Sequence, residues 1–261
     1  MALISHEIPK QLFPYHDLIS DYPYVLGHLL NNDRQYTEFY KEKLKTAPYS
    51  ILDNSAFELG QSIPGEELYE LGEEFLPTHL VLPDKVNDYT QTMENTVEYL
   101  SKYKSDKLNY IGVCQGDTFD KIADCIDFYT DKGVDIIALP FDLVPDSDYV
   151  TVRFRFLNWW YANRFTYKRS GIYKFHLLGC QNPVEFLLYK YNQPHLARYI
   201  YSLDTSSPIV NGWSGNKLGP NGLTTPKPKD KLADNLDIKL SQEQIELIFN
   251  NVKTFRTYVS K

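Results

Sequence analysis

The sequence predicts an α/β protein that folds as an irregular (β/α)8 TIM barrel, in a single domain over residues 1–261. Three observations predict this class. Short apolar runs of strand length recur along the chain, amphipathic helical stretches separate most of them, and the runs end on a carboxylate, an amide or a small residue. Parallel sheets carry their chemistry at the carboxyl ends of their strands, so these polar ends also predict the position of a site.

The strands are predicted from short apolar runs that are buried on both faces. They lie near residues 23–29, 49–53, 79–83, 109–114, 135–140, 173–178 and 199–204. A closed barrel needs an eighth strand, which the pattern does not locate. An open doubly wound sheet is therefore the alternative architecture.

The helices are predicted from apolar periodicity and from capping residues. They cover about 34–46, 64–75, 88–103, 117–131 and 147–168; Pro183 begins another, and Ser241–Gln244 forms a capping box for a C-terminal helix. The stretch 211–230 is rich in Gly, Asn, Pro and Lys and follows a strand end directly. It predicts an active-site loop over 205–230, with a linker of no catalytic role as the alternative.

Composition narrows the class of protein. The net charge is −7, and the chain has no apolar run long enough for a membrane span and no secretory leader pattern. Its three cysteines have no CxxC spacing, which favours free thiols in a cytoplasmic protein and no metal site. No glycine-rich phosphate-binding motif follows a strand, so a dinucleotide site is not supported.

One segment differs from this acidic background. Residues 153–174 contain six basic side chains and no acidic one, with tryptophan, tyrosine and phenylalanine between them. The candidates for contact with a nucleic-acid backbone are Arg153, Arg155, Arg164, Lys168 and Arg169. The alternative is an ordinary helix with a solvated basic face and buried aromatic rings.

The strand ends carry an ordered set of short motifs. These are Asp53–Phe57, Asp84, Gly112–Gly116, His176–Gly179 and Ser202–Ser207. Over residues 50–210 this set resembles the tRNA-guanine transglycosylases, in particular the short phage-type relatives that place 7-deazaguanines in DNA. Such enzymes are irregular TIM barrels that exchange a guanine of a polynucleotide for a 7-deazaguanine.

The resemblance implies a role for each matching residue. Asp204 is similar to the nucleophile that attacks the ribose C1′, and Asp53 is similar to the general acid/base. Asp84, Gln115 and the Gly179–Cys180 turn are similar to the groups that hold the base. The implied partners are DNA (or tRNA) and a free 7-deazaguanine base, in the cytoplasm of a bacterial host if the chain is phage-encoded.

Two departures from the family pattern affect these expectations. No cysteine follows Cys180, so the structural zinc motif of the tRNA enzymes is absent and no cofactor is expected. The glycine pair that follows the family's acid/base aspartate is replaced by Ser55 and Ala56. The sequence does not indicate an oligomeric state.

Other functions fit the same residues. Water could replace the incoming base, which would make the protein a base-excising N-glycosylase, or the barrel could bind nucleic acid through residues 153–174 without catalysis. Strand-end residues such as Asp53, Asp84 and Gln115 also occur as caps and turn residues. His79 and His176 are interpreted as packing or hydrogen-bonding residues of the barrel interior, and Cys114 and Cys180 as packing residues and not nucleophiles.

Overall fold

The computed structural model describes residues 2–145, 147–165, 173–219, 221–223 and 231–259. Its strands are β1 (Leu3–Ser5), β2 (Tyr24–Leu26), β3 (Ile51–Asp53), β4 (His79–Val81), β5 (Asn109–Val113), β6 (Ile136–Pro140), β7 (Phe175–Leu178) and β8 (Ile200–Asp204). They form one eight-stranded sheet in the order β1-β8-β7-β6-β5-β4-β3-β2, and every neighbouring pair is parallel. The predicted irregular TIM barrel is confirmed.

The two ends of the sheet, β1 and β2, meet through side chains and the loop before β2. The Asp21 amide donates to the Ile4 carbonyl at 2.7 Å, and the Ser5 hydroxyl donates to the Tyr22 carbonyl at 2.8 Å. β1 is the strand that the sequence did not locate. It has only three residues, and its pairing with β8 comes from a segment about 200 residues away along the chain.

Helices connect the strands and cover the sheet. They are α1 (His16–Ile19), α2 (Gly27–Asn32), α3 (Arg34–Thr46), α4 (Ala56–Leu59), α5 (Gly65–Phe75), α6 (Tyr89–Lys102), α7 (Phe119–Asp131), α8 (Val152–Asn163), α9 (Glu185–Asn192), α10 (Pro194–Ala197), α11 (Ser207–Trp213) and α12 (Gln242–Val259), with 3-10 helices at Lys10–Tyr15 and Ala233–Asn235. No helix in the described ranges has the length and apolar character needed to cross a bilayer.

The predicted helix ends agree with the structure at most positions. Asp88 caps α6 by accepting from the Gln91 amide at 3.0 Å, and Ser241 and Gln244 form both bonds of the capping box that begins α12. α7 is capped by Thr118, one residue after the position predicted. α8 is also shorter than the predicted 147–168, because it begins only at Val152.

The predicted loop over 205–230 is wrong in its first part. α11 occupies Ser207–Trp213 and packs so closely on α12 that a Cβ at Gly212 would lie 2.8 Å from the Ile248 Cα. Asn251 of α12 then holds the segment after α11, since its Oδ1 accepts from the Leu218 amide and its Nδ2 donates to the Asn216 carbonyl. Residues 220 and 224–230 lie outside the described ranges.

The predicted nucleic-acid contact at Arg153 is also wrong. Its side chain is fully buried, and its guanidinium binds Glu185 through two hydrogen bonds, from Nε (2.9 Å) and from Nη2 (2.5 Å). Nη1 donates to the carbonyls of Leu139 and Leu178, at the ends of β6 and β7. Arg153 therefore joins two strand ends inside the protein, where no phosphate can reach it.

The other predicted basic contacts are placed differently. Arg155 is exposed, whereas Arg164 pairs with Asp120 at 3.0 Å and with Asp124 at 3.4 Å. Lys168 and Arg169 lie outside the described residues. Trp160 is buried in the core, which agrees with the alternative interpretation of α8 as a packed helix.

Candidate active site

A cavity of about 590 Å³ opens at the carboxyl ends of the strands, where TIM barrels place their active sites. Five residues predicted from the sequence line it: Asp53, Asp84, Gln115, Gly179 and Asp204. Cys180, predicted with them, is fully buried behind Gly179, and its sulfur faces Asn182 and Glu185. Contact between Cys180 and a base in the cavity is therefore excluded.

Asp204 is the last residue of β8, and its carboxylate is held on one side only. Its Oδ1 accepts from the Gly179 amide at 3.0 Å and from His176 Nε2 at 3.1 Å. No residue in the described ranges donates a hydrogen bond to Oδ2. Asp204 thus presents one fixed oxygen and one oxygen available to a ligand in the cavity.

Gly179 is required by the geometry of this contact. Its φ of +64° lies in the left-handed region that favours glycine, and a Cβ would lie 2.9 Å from the Phe141 ring. The resemblance implied that this turn holds a base. In the structure, the Gly179 N–H is instead directed at Asp204.

Asp53 is the last residue of β3, and both of its oxygens accept hydrogen bonds. Tyr24 donates its hydroxyl to Oδ1 and Ser55 its amide to Oδ2, each at 2.7 Å. Burial raises the pKa of Asp53 to about 7; the two hydrogen bonds oppose this rise, and the charges of Asp204 and Asp84 add to it. A carboxyl group with this pKa can both give and take a proton near neutral pH.

Ser55 lies where the transglycosylases that the sequence resembles have glycine, and it adopts a left-handed backbone conformation that glycine favours. Its φ is +63°, and the bond from its amide to Asp53 holds it there. Its hydroxyl also accepts from the His28 amide at 3.2 Å. The turn after β3 therefore adopts this conformation without glycine, at a conformational cost on the order of 1 kcal/mol.

Asp84 and Gln115 form a polar network on the cavity floor. Asp84 accepts from Asn54 Nδ2 at 2.8 Å and from Gln115 Nε2 at 2.7 Å. Burial raises the pKa of Asp84 to about 6, although both amide hydrogen bonds favour its ionised form. The Asn87 amide fixes Gln115 by donating to its Oε1 at 3.0 Å.

Asn54 belongs to this network, although its sequence pattern predicts no role for it. Besides Asp84, it donates to the Leu82 carbonyl at 2.6 Å and accepts from the Ala56 amide at 2.8 Å. Its signal in the sequence was its position directly after the acid/base candidate. Its partner lies 30 residues further along the chain, so the contact required the fold.

The mouth of the cavity is aromatic and acidic. Phe57 and Tyr149 are about half exposed there and contact Phe141 edge-on from either side. The charged residues that line the cavity above its floor are Glu7, Glu58, Asp142, Asp148 and Lys231. Burial raises the pKa of Glu58, and the charge of Glu7 is the second largest cause of this rise. The mouth therefore combines exposed aromatic rings with an excess of carboxyl groups over cationic ones.

The described residues contain no cluster of three or more His, Cys, Asp or Glu side chains arranged to hold a metal ion. Cys114, Cys125 and Cys180 are all buried free thiols. Burial raises the pKa of Cys114, which fits its predicted role in packing.

Comparisons with known proteins identify the fold. No family model and no curated protein matches the sequence. Among solved structures, the chain is similar to a proposed fructose-1,6-biphosphate aldolase from Coccidioides immitis, with a TM-score of 0.53 and 8% identity, over 99% of this chain and 86% of that one. At this identity the likeness shows a shared TIM barrel and does not bear on the reaction.

Proposed function

We propose that this protein is a guanine transglycosylase that exchanges guanine in DNA for a 7-deazaguanine, through a covalent glycosyl-aspartate intermediate. The observation that carries the proposal is the convergence of Asp204 and Asp53 on one cavity with Asp84 and Gln115. Two carboxylates in different environments match a nucleophile and an acid/base, and a carboxylate beside an amide matches the edge of a guanine.

In the first step, Asp204 Oδ2 attacks C1′ of the target nucleotide and the bond from C1′ to the guanine nitrogen breaks. Asp53 in its protonated form gives its proton to the departing guanine, which leaves as the neutral base. The electron pair of the broken bond goes to the guanine, and the sugar is left as an ester of Asp204. The pKa of about 7 keeps a substantial fraction of Asp53 protonated for this step.

In the second step, the incoming 7-deazaguanine binds where guanine was. Asp53, now a carboxylate, takes the proton from its ring nitrogen, and that nitrogen attacks C1′. The bond between C1′ and Oδ2 breaks, and its electrons return to Asp204 as the free carboxylate. Two displacements at one carbon retain its configuration, and both catalytic groups end in their starting states.

Base recognition is assigned to Asp84 and Gln115. An ionised Asp84 accepts from the N1–H and the exocyclic amine of guanine, because each of its oxygens keeps a lone pair beside its amide bond. Gln115 Nε2 donates one hydrogen to Asp84 and has a second for the O6 atom. A base can reach these groups only after leaving its stack in the polynucleotide.

The direct test is an exchange assay with the whole chain. Radiolabelled guanine is incubated with the protein and guanine-containing single-stranded DNA, duplex DNA or tRNA, and the label in the polymer is counted. Release of the label is then followed after a 7-deazaguanine is added. We expect label to enter DNA and the 7-deazaguanine to displace it, whereas no incorporation into any polymer would overturn the proposal.

The products separate the alternatives. Abasic sites without incorporation would identify an N-glycosylase, and incorporation into tRNA alone would identify a tRNA enzyme. Asp84→Asn is the matched variant for base recognition, because it keeps the shape of the side chain but turns one acceptor into a donor. We expect this variant to raise KM for the incoming base about 10-fold to 100-fold.

A further inference from the structure

We infer that His176, supported by Ser202 and Tyr49, is a positioning residue that fixes the Asp204 carboxylate so that only Oδ2 faces the reacting sugar. This inference rests on the proposed function and deepens it. It concerns a hydrogen-bonded series inside the barrel that the resemblance did not assign. The series runs from Tyr49, just before β3, through Ser202 of β8 to His176 of β7.

The geometry is continuous along the series. The Tyr49 hydroxyl lies 2.9 Å from Ser202 Oγ, Ser202 Oγ lies 2.8 Å from His176 Nδ1, and His176 Nε2 lies 3.1 Å from Asp204 Oδ1. His176 and Ser202 are fully buried, and Tyr49 is 6% exposed. Bulk water therefore does not compete for these bonds.

The acceptor at the end of the series sets the direction of donation. Ionised Asp204 can only accept, so His176 Nε2 must carry the hydrogen. In a neutral imidazole, Nδ1 then accepts from the Ser202 hydroxyl, which accepts in turn from Tyr49. Burial raises the pKa of Tyr49, which keeps its hydroxyl protonated as the first donor.

Packing holds the imidazole in this orientation. The Tyr24 ring lies parallel to the His176 ring, with centroids 5.8 Å apart and an interplanar angle of 6°. The same Tyr24 donates its hydroxyl to Asp53. The Tyr24 ring, whose hydroxyl binds Asp53, therefore stacks on the His176 ring, which binds Asp204. The side chains that hold the two proposed catalytic carboxylates are thus in contact.

The chemical consequence concerns both steps of the exchange. With Oδ1 held by two N–H donors, the carboxylate cannot rotate, and attack by Oδ2 needs no reorganisation. In the ester, Oδ1 becomes the carbonyl oxygen, and the same donors stabilise the charge that returns to it when the C1′–Oδ2 bond breaks. Loss of His176 should therefore slow turnover without weakening base binding.

The first test measures kcat and KM for exchange into DNA in the wild type and three variants. His176→Phe keeps a ring for Tyr24 but removes the donor, and we expect kcat to fall about 10²-fold with KM for the base unchanged. His176→Gln places an amide N–H near the Nε2 position and should recover part of the loss. His79→Phe is the control, because His79 also packs on Tyr49 but hydrogen-bonds to Asp135.

The second test does not depend on activity. Spectra of the protein with ¹⁵N-labelled histidine distinguish the two tautomers, and the His176 signals are those missing from His176→Phe. We expect Nε2 to be protonated and Nδ1 to be unprotonated in the wild type, with this preference weakened in Ser202→Ala. A protonated Nδ1 beside an unprotonated Nε2 would overturn the inference.

The outcomes separate this inference from the proposed function. If the wild type exchanges no base, the proposed function fails and the positioning role fails with it. If the wild type exchanges bases and His176→Phe keeps the wild-type kcat, or changes KM alone, the positioning role fails and the proposed function stands. An equal loss of kcat in His79→Phe would also contradict the positioning role.

Discussion

Among the histidine–aspartate pairs of the described residues, two of nearly equal length lie at opposite ends of the sheet. At the carboxyl end, His176 and Asp204 lie 3.1 Å apart, and at the amino end His79 and Asp135 lie 3.0 Å apart. The Asp204 side chain is 5% exposed and that of Asp135 is 39% exposed. The same chemical pair therefore occurs in two different surroundings.

The two aspartates differ in how many of their carboxylate oxygens already have partners in the protein. Lys174 contacts both oxygens of Asp135, at 3.2 and 3.3 Å, and His79 also contacts Oδ2. Burial works against ionisation of Asp135, but the hydrogen bonds from His79 and Lys174 outweigh it and hold its pKa below the usual value. Within the described ranges, Asp204 has no such cation and its Oδ2 has no donor. A histidine–aspartate contact alone thus does not distinguish the two aspartates. They differ in the second oxygen of Asp204, which has no donor in the described ranges and belongs to a residue that lines the cavity.

The largest effect is expected on the exchange rate when each of the two aspartates is replaced by asparagine. We expect Asp204→Asn to lower exchange by about 10⁴-fold or more, because an amide cannot act as the nucleophile. Asp135→Asn, which is nearly isosteric at the other end of the barrel, should leave kcat and KM unchanged. Steady-state exchange assays on both variants check this, and equal losses would remove the distinction between the two pairs.

The buried pair Arg153–Glu185 gives the next largest effect, on stability. Glu185→Ala leaves the guanidinium inside the protein without its carboxylate partner, and we expect the free energy of unfolding to fall by about 3–5 kcal/mol. Urea denaturation followed by circular dichroism measures this. A loss below about 1 kcal/mol would show that Arg153 does not depend on Glu185, and the double variant Arg153→Met/Glu185→Leu should recover part of the loss.

Asp53→Asn should stabilise the protein at alkaline pH while it removes exchange. The pKa of Asp53 is about 7 in the folded protein and near 3.8 in the unfolded chain, so the folded state binds more protons between these values. Wild-type stability therefore falls as pH rises from about 4 to about 7, by on the order of 2–4 kcal/mol from this group. The variant lacks that loss.

Urea denaturation at pH 5 and pH 8 checks this prediction. The variant should exceed the wild type by about 2 kcal/mol at pH 8, and the difference should shrink at pH 5. Asp84, whose pKa is raised to about 6, remains in both proteins and gives both a smaller loss of the same sign. If the variant and the wild type differ by the same free energy of unfolding at both pH values, the ionisation of Asp53 does not contribute to stability as predicted.

Lys174→Ala is expected to have the smallest effect. The Lys174 and Asp135 side chains are 42% and 39% exposed, and a pair in such contact with solvent contributes less than about 1 kcal/mol. The free energy of unfolding in low and high salt measures it, since salt screens exposed charges. A loss comparable to that of Glu185→Ala would contradict the contrast between a buried and an exposed ion pair.

The sequence predicted the strand-end residues because strand termination is a local property. Asp53, Asp84 and Asp204 each follow an apolar run directly, and parallel pairing then brings such ends to one edge of the barrel. Side chains with distant partners were not predictable in this way. Arg153 resembles a surface residue until Glu185, 32 positions later, is placed beside it.

His176 is a second residue whose distant partner could not be predicted from the sequence. As a lone histidine in an apolar run, it was interpreted as a packing or hydrogen-bonding residue, and the structure confirms the hydrogen bonds. Its partner Asp204 lies 28 positions away, so the contact depends on the register of β7 and β8. That register shifts between Phe175 and His176, and no local pattern indicates the shift.

The proposed bond between Asp204 and the sugar can be trapped and identified chemically. The protein is mixed with guanine-containing DNA without an incoming base, denatured rapidly, and digested for peptide mass spectrometry. The proposed function predicts a DNA fragment lacking one guanine, attached to the peptide that carries Asp204 and absent from Asp204→Asn. An adduct on Asp53, or exchange without any adduct, would contradict it.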